Sequence, residues 1–193
     1  MVMANQEAMQ QLNTLLADPA AKEQAYAAGL ERITFCKHCH GEDGNSKRTH
    51  IPNLAEQSPI YLFNAFEKFA NGERTDFVMS KLAKSLSLED RVNIALYYGE
   101  QKVVITPSDS PQLQSRGQAK FQQTCQACHG ANGEGQADMP RLAGQPAEYI
   151  SSTLKKFRSK DPSRAASVML SIAENMTDAD IAALASYIQT LDI

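Results

Sequence analysis

With 193 residues, 42% of them hydrophobic and 21% charged, the chain is long enough for one large domain or two of roughly 90 to 100 residues, and too apolar to be globally disordered. A net charge of −3 argues against a nucleic-acid partner, which would want a basic stripe, and no apolar run approaches the ~18 residues of a membrane span. Tryptophan is absent and aromatics are only 7%, so the core is expected to pack around something that is not protein.

Residues 1–20 open with MVMANQEAMQQLNTLL, which has neither a basic n-region nor a continuous apolar stretch and so does not read as a signal peptide. The chain is expected to be a mature form, or one whose leader was replaced, and this extension has no assigned role. Asp18-Pro19 pairs a capping residue with proline at the first helical position and predicts a helix to about Thr34. FCKHCHGEDG follows, with Cys36, His38, Cys39 and His40 inside five positions. A second helix is predicted over about 59–70, where Leu62, Phe66 and Phe69 recur at helical spacing. Ser87-x-x-Asp90 is a capping box with aspartate in place of glutamate and opens a further helix.

The stretch QKVVITPSDSPQLQS, 101–115, carries two prolines and several serines and reads as an extended linker. Beyond it TCQACHGANG returns to the earlier pattern, PAEYISSTLKKF repeats the 59–70 helix, and Thr177-x-x-Asp180 starts a last helix striped by Ile181, Leu184, Ile188 and Leu191. No alternating strand pattern of any length occurs. The expected fold is all-α.

These parallels are an internal repeat. Cys36, Cys39, His40, Gly41 and Gly44 answer Cys125, Cys128, His129, Gly130 and Gly133 at a constant offset of 89. IPNLAEQ, 51–57, answers MPRLAGQ, 139–145, Tyr61 answers Tyr149, and VMSKLAKSLSLED, 78–90, answers VMLSIAENMTDAD, 168–180. Two copies of one module are expected: an N-terminal extension, 1–20; a first unit, 21–103; a linker, 104–113; and a second unit, 114–193.

All four cysteines lie in the two C-x-x-C-H strings. A four-cysteine zinc site typically leaves about 15–20 residues between its pairs, whereas 85 lie between Cys39 and Cys125. A thioredoxin-like redox pair needs a βαβ context, which is missing, and adjacent disulfides would close strained loops of little stabilising value. None of these requires a histidine after each second cysteine. C-x-x-C-H reads as covalent attachment of c-type haem. Two thiols on one helical turn reach the two vinyl groups along one edge of the porphyrin, and the next histidine reaches the iron from one face. Two covalently bound haem c groups are therefore expected, on Cys36 and Cys39 with His40, and on Cys125 and Cys128 with His129.

His38 faces Ala127 in the other copy and His50 faces Asp138, so neither has a shared duty. For the sixth iron position a methionine thioether or a second histidine is usual. Met139 sits opposite Ile51 and Met176 opposite Leu86; only Met79 and Met169 are methionine in both copies. They are the expected sixth ligands, about forty residues after each proximal histidine; the competing role is flexible core packing.

With CHG-x-x-G, P-x-LA-x-Q, V-M and the capped last helix each placed twice, residues 25–193 resemble the dihaem cytochromes c4, tandem class I cytochrome c domains. The second copy is the closer match, through CHGANGEG, MPRLAGQ and IAENMTDADIAALASYI; the first departs at Glu56, opposite Gly144, at Leu88, opposite Asp178, and in the basic string GNSKRTH. The resemblance implies that Pro52 and Pro140 offer a backbone carbonyl to the second nitrogen of each proximal histidine, fixing its ring. It implies an all-α periplasmic protein, soluble or loosely membrane-associated, with its two haems facing across the domain interface. Such a protein carries single electrons among respiratory complexes, often toward terminal oxidases. It is not an enzyme in its own right. The alternative is the cytochrome subunit of a sulfur-oxidising complex, flavocytochrome c-like or thiosulfate dehydrogenase-like. A dihaem peroxidase would need a haem without a fixed sixth ligand, and both copies offer a methionine. Lys37, Lys47, Arg48 and Arg141 are candidates for setting the charge a partner meets.

Overall fold

The computed structural model describes residues 2–108, 110–136, 138–165 and 167–193. Eleven α-helices occur among them, with no strand and one isolated bridge between Gln136 and Met139. The chain runs α1 (Val2–Ala17), α2 (Pro19–Arg32), α3 (Lys37–His40), α4 (Pro59–Asn71), α5 (Met79–Ser85) and α6 (Leu88–Gly99). It then repeats itself as α7 (Pro111–Thr124), α8 (Gln126–His129), α9 (Ala147–Arg158), α10 (Met169–Ala173) and α11 (Asp178–Ile188).

Local chemistry sets the helix starts. Asp18 Oδ1 accepts from Ala20 N at 2.9 Å and Ala21 N at 3.3 Å, satisfying donors that a helix start leaves open. Ser58 caps α4 through Tyr61 N at 3.3 Å, with Pro59 in the first turn. Both capping boxes form: Ser87 with Asp90 and Thr177 with Asp180 exchange side-chain and backbone hydrogen bonds.

Each copy has its own core. In the first, Phe63, Val92, Ile94, Tyr98 and Ile33 are fully or almost fully buried; in the second, Phe121, Ile181 and Leu184 are. Burying a side chain such as Phe63 contributes about 2 kcal/mol or more by removal of apolar surface from water. The extension is part of the first core: Leu12 of α1 is completely buried, and Leu15 packs beside it.

One crossing closes each copy. α2 lies on α6 where Gly29 meets Asn93 and Tyr97, and α7 lies on α11 where Gly117 meets Ala183 and Tyr187. A Cβ on Gly29 would sit 2.4 Å from Asn93 O, and one on Gly117 would sit 2.1 Å from Ala183 O. Only a glycine allows backbones to approach so closely.

The stretch that composition marks as a linker ends earlier than expected, inside the predicted 104–113. Residues 102–108 carry no helix, but α7 begins at Pro111. Ser110-Pro111 repeats the cap-then-proline grammar of Asp18-Pro19, and helical packing against α11 overrides the Pro/Ser composition. The non-helical stretch is pinned along its length. Asn45 Nδ2 donates to Lys102 O at 2.8 Å and Asn45 Oδ1 accepts from Val104 N at 2.8 Å. Glu56 Oε1 takes Lys102 Nζ at 2.7 Å and its Oε2 takes Val103 N at 3.1 Å, with Arg141 Nη2 3.4 Å from that same Oε2.

The two copies meet through the P-x-LA-x-Q strings. Gln57 Nε2 donates to Arg141 O at 2.9 Å and its Oε1 accepts from Arg141 N at 2.8 Å. Gln145 treats Asn53 in the same way, accepting from its N at 3.0 Å and donating to its O at 2.8 Å. All four residues are at most 6% exposed, so water does not compete for these bonds. At the rim Tyr149 N donates to Thr49 O at 3.0 Å, and the Thr49 hydroxyl donates to the Glu148 carboxylate.

Candidate functional site

Each C-x-x-C-H string forms a single helical turn. His40 N donates to Cys36 O at 2.9 Å and His129 N to Cys125 O at 3.0 Å, which brings each pair of thiols to one side of the turn. The four cysteines are free thiols rather than disulfides. Burial pushes the Cys125 thiol up to about 11, and it raises Cys36 as well. Such thiols are protonated at neutral pH, unlike the reactive thiolates of redox pairs. Among the described residues no group of three His, Cys, Asp or Glu side chains comes together as a metal site, which the zinc alternative would require.

The histidines that close the two C-x-x-C-H strings are both buried, at 8% and 6% exposure, and both spend one ring nitrogen identically. His40 Nδ1 lies 3.0 Å from Pro52 O and His129 Nδ1 lies 2.9 Å from Pro140 O. A carbonyl only accepts, so Nδ1 carries the proton and Nε2 keeps its lone pair. Burial pushes both imidazole pKa values down, against the pull of the proline carbonyls, and keeps the rings neutral. A neutral imidazole with a free Nε2 is the form that ligates a metal. The loop after His40 is held by Tyr98, whose hydroxyl donates to Gly41 O at 3.3 Å, and by Tyr97, donating to Glu42 O at 3.0 Å.

Met79 and Met169 occupy equivalent places, each the first residue of a short helix, α5 and α10, and each packed at the edge of its own core. Met79 N is tied to Asp76 Oδ1 at 2.9 Å and Met169 N to Ser167 Oγ at 3.2 Å. His38 and His50 are exposed on the surface. Of the four cations proposed for partner docking, Lys47 and Arg48 are exposed and Lys37 faces Glu42 at 3.6 Å. Arg141 is different: it is 6% exposed and committed to Glu56, because its backbone and side chain lie inside the seam.

The structure adds residues that sequence reasoning missed. Arg74 Nη2 donates to Tyr149 Oη at 3.3 Å across the seam, and Tyr61 bonds the same guanidinium. Arg164 reaches Tyr149 from within the same copy. Burial would raise the Tyr149 hydroxyl, but the two arginines outweigh it and pull its pKa down. The cations also stack on repeat-related rings, Arg74 over Phe69 at 4.4 Å and Arg164 over Phe157 at 5.6 Å. Arg74, whose charge is felt at His40, shares Tyr149 with Arg164, and such a cluster of cations and hydroxyls suits an acidic group; the propionate carboxylates of haem are of that kind. With paired thiols on one turn and a neutral buried imidazole beside them, the residues fit a covalently attached haem in each copy.

Comparison with known proteins agrees. The cytochrome c family profile matches residues 114–192, the second copy. The chain is 36% identical to cytochrome c4 of Pseudomonas aeruginosa over 177 residues, covering 86% of this chain and 88% of the relative. The thiosulfate dehydrogenase electron acceptor of Thiomonas intermedia is 32% identical over 183 residues, with 87% and 83% covered. The crystal structure of reduced recombinant cytochrome c4 from Pseudomonas stutzeri superposes with a TM-score of 0.80 at 32% identity, covering 86% of this chain and 98% of that one. A chain with this architecture carries covalent haem c in each of its two domains and transfers electrons rather than catalysing a reaction. By sequence and by fold alike, it belongs to the cytochrome c4 family.

Proposed function

We propose that this protein is a periplasmic carrier of single electrons between respiratory redox partners, built from two cytochrome units, 21–103 and 114–193, joined through the pinned segment between them. His40 and Met79 hold one iron, His129 and Met169 the other. The chemistry supplied by each bound haem is the uptake and release of one electron. The chain's own residues do the rest. Cys36, Cys39, Cys125 and Cys128 anchor the rings, and Pro52 and Pro140 fix the imidazole planes and their basicity. Methionine paired with histidine would favour a high potential and would leave no coordination position for small molecules. No described helix is long and apolar enough to cross a membrane. The observation that carries this reading is the duplication of one site, down to the proline carbonyl at 3.0 Å and 2.9 Å from each histidine.

Met79→Ala and Met169→Ala test it. Each is expected to lower one midpoint potential, shifting the reduced-to-oxidised ratio at least tenfold (about 59 mV for one electron), and to remove half of the methionine–iron charge-transfer absorption. Unchanged potentials would overturn the ligand assignment. A second reading, the cytochrome subunit of a sulfur-oxidising complex, is favoured by the similarity to the thiosulfate dehydrogenase electron acceptor. Reduction of the purified protein by a thiosulfate-oxidising enzyme, but not by a respiratory donor complex, would favour that reading over the first.

A further inference from the structure

The peptide between Pro52 and Asn53 is bonded at both ends: its carbonyl accepts from His40 Nδ1 at 3.0 Å, and its N–H donates to Gln145 Oε1 at 3.0 Å. The peptide between Pro140 and Arg141 repeats this, with His129 Nδ1 at 2.9 Å on one side and Gln57 Oε1 at 2.8 Å on the other. The glutamine always comes from the opposite copy. Each is 4% exposed, and its Nε2 is spent on the next carbonyl, so the amide cannot rotate without losing two buried bonds.

We propose that Gln145 and Gln57 are positioning residues acting across the seam, each setting the donor strength of the proximal histidine in the other copy. This rests on the histidine ligation proposed above. A peptide group is conjugated, so an acceptor on its N–H pushes electron density onto its carbonyl oxygen. The carbonyl then draws the Nδ1 proton harder, and Nε2 becomes a stronger donor to iron. A stronger donor stabilises the oxidised state. Removing the glutamine therefore makes the haem of the opposite copy easier to reduce and leaves the haem of its own copy alone. Anything that loosens the seam would be felt first at these two peptides, which makes the domain contact part of each redox site.

The test is a redox titration of the intact dihaem protein followed by NMR of its histidine ring protons, so that each wave is assigned by the histidine that changes with it. Gln145→Met is expected to raise the reduced-to-oxidised ratio of the His40 haem about threefold (about 28 mV at ~59 mV per tenfold) and to weaken the hydrogen-bond shift of the His40 ring N–H. The His129 haem stays where it was. Gln57→Met gives the mirror result. Gln145→Asn keeps an amide but is one methylene short, and is expected to behave as the methionine variant does; it serves should the latter fold poorly. Shifts in the glutamine's own copy, equal shifts of both haems, or none with the wild-type ligation spectrum retained would overturn the proposal while leaving the ligand assignment standing. A wild-type protein whose His40 and His129 lack the signature of iron-bound imidazole would instead overturn the assignment itself.

Discussion

The two halves of the chain hold the same site in different surroundings. His40 and His129, Pro52 and Pro140, Gln57 and Gln145 superimpose in role and nearly in distance. Position 56 and its counterpart 144 do not. Gly144 has φ of 73°, and Glu56 adopts the same left-handed conformation at 54° despite its side chain. That conformation costs roughly 1 kcal/mol in a residue with a Cβ. The glutamate offsets it by binding Lys102, Val103 N and Arg141, so the first copy pins the connecting segment while the second receives it as packing of Val103 and Ile105 on Gly144. The second difference is α1, which adds Leu12 to the first core and has no counterpart in the second. What both copies keep is what the ring and its ligands require; what differs is what joins or caps them.

The crossing glycines give the harshest test of that equivalence. Gly117→Ala places a Cβ 2.1 Å from a backbone oxygen and Gly29→Ala one at 2.4 Å, so both should destabilise by about 3 kcal/mol or more, Gly117 the worse. Denaturant midpoints of the dihaem protein check this, and a mild effect at either position would mean the crossings are looser than they look. Leu12→Ala should cost about 2 kcal/mol and act on one copy alone. Hydrogen exchange is expected to rise in α2, α4 and α6 and to stay unchanged in α9 and α11.

Much of this was legible in the letters, for local reasons. A capping box, an aspartate before proline and a C-x-x-C-H turn are read within five residues, and the structure forms all of them. The start of α7 was hidden because Pro and Ser between Pro107 and Pro111 look like linker; the glycine that answers Gly29 at position 117 was the available signal. The glutamines were visible as repeated letters, yet their work was not, since each bonds a residue 84 or 92 positions away. Arg74 escaped for the same reason: only the seam brings it to Tyr149, 75 positions away.

Smaller effects sharpen the contrast at the connecting segment. Burial raises the Glu56 carboxyl, but hydrogen bonds from Lys102 and Val103 N and the Arg141 charge outweigh it and hold the pKa below the ordinary 4.5. Since the folded value lies below the unfolded one, this stabilisation is present above about pH 4.5 and is lost as the pH falls through the folded value. Glu56→Gln should cost about 1 kcal/mol at pH 7 and flatten that part of the acid limb. Urea midpoints measured against pH decide it. Thr177→Ala should cost about 1 kcal/mol by removing a cap. Hydrogen bonds from Thr177, then from Arg116, hold Asp180 down to about 2 against an ordinary 3.8, so its share of stability is lost as the pH drops toward 2.

The glycine crossings carry a consequence for how such chains grow. A unit whose opening helix lies on its closing helix begins and ends at neighbouring points, so it resembles a bead whose thread enters and leaves by one hole. The eleven residues between α6 and α7 are then enough to pass from one bead to the next without threading through either. Duplication needed no rewiring of the interior, only a seam on which the new neighbour could settle.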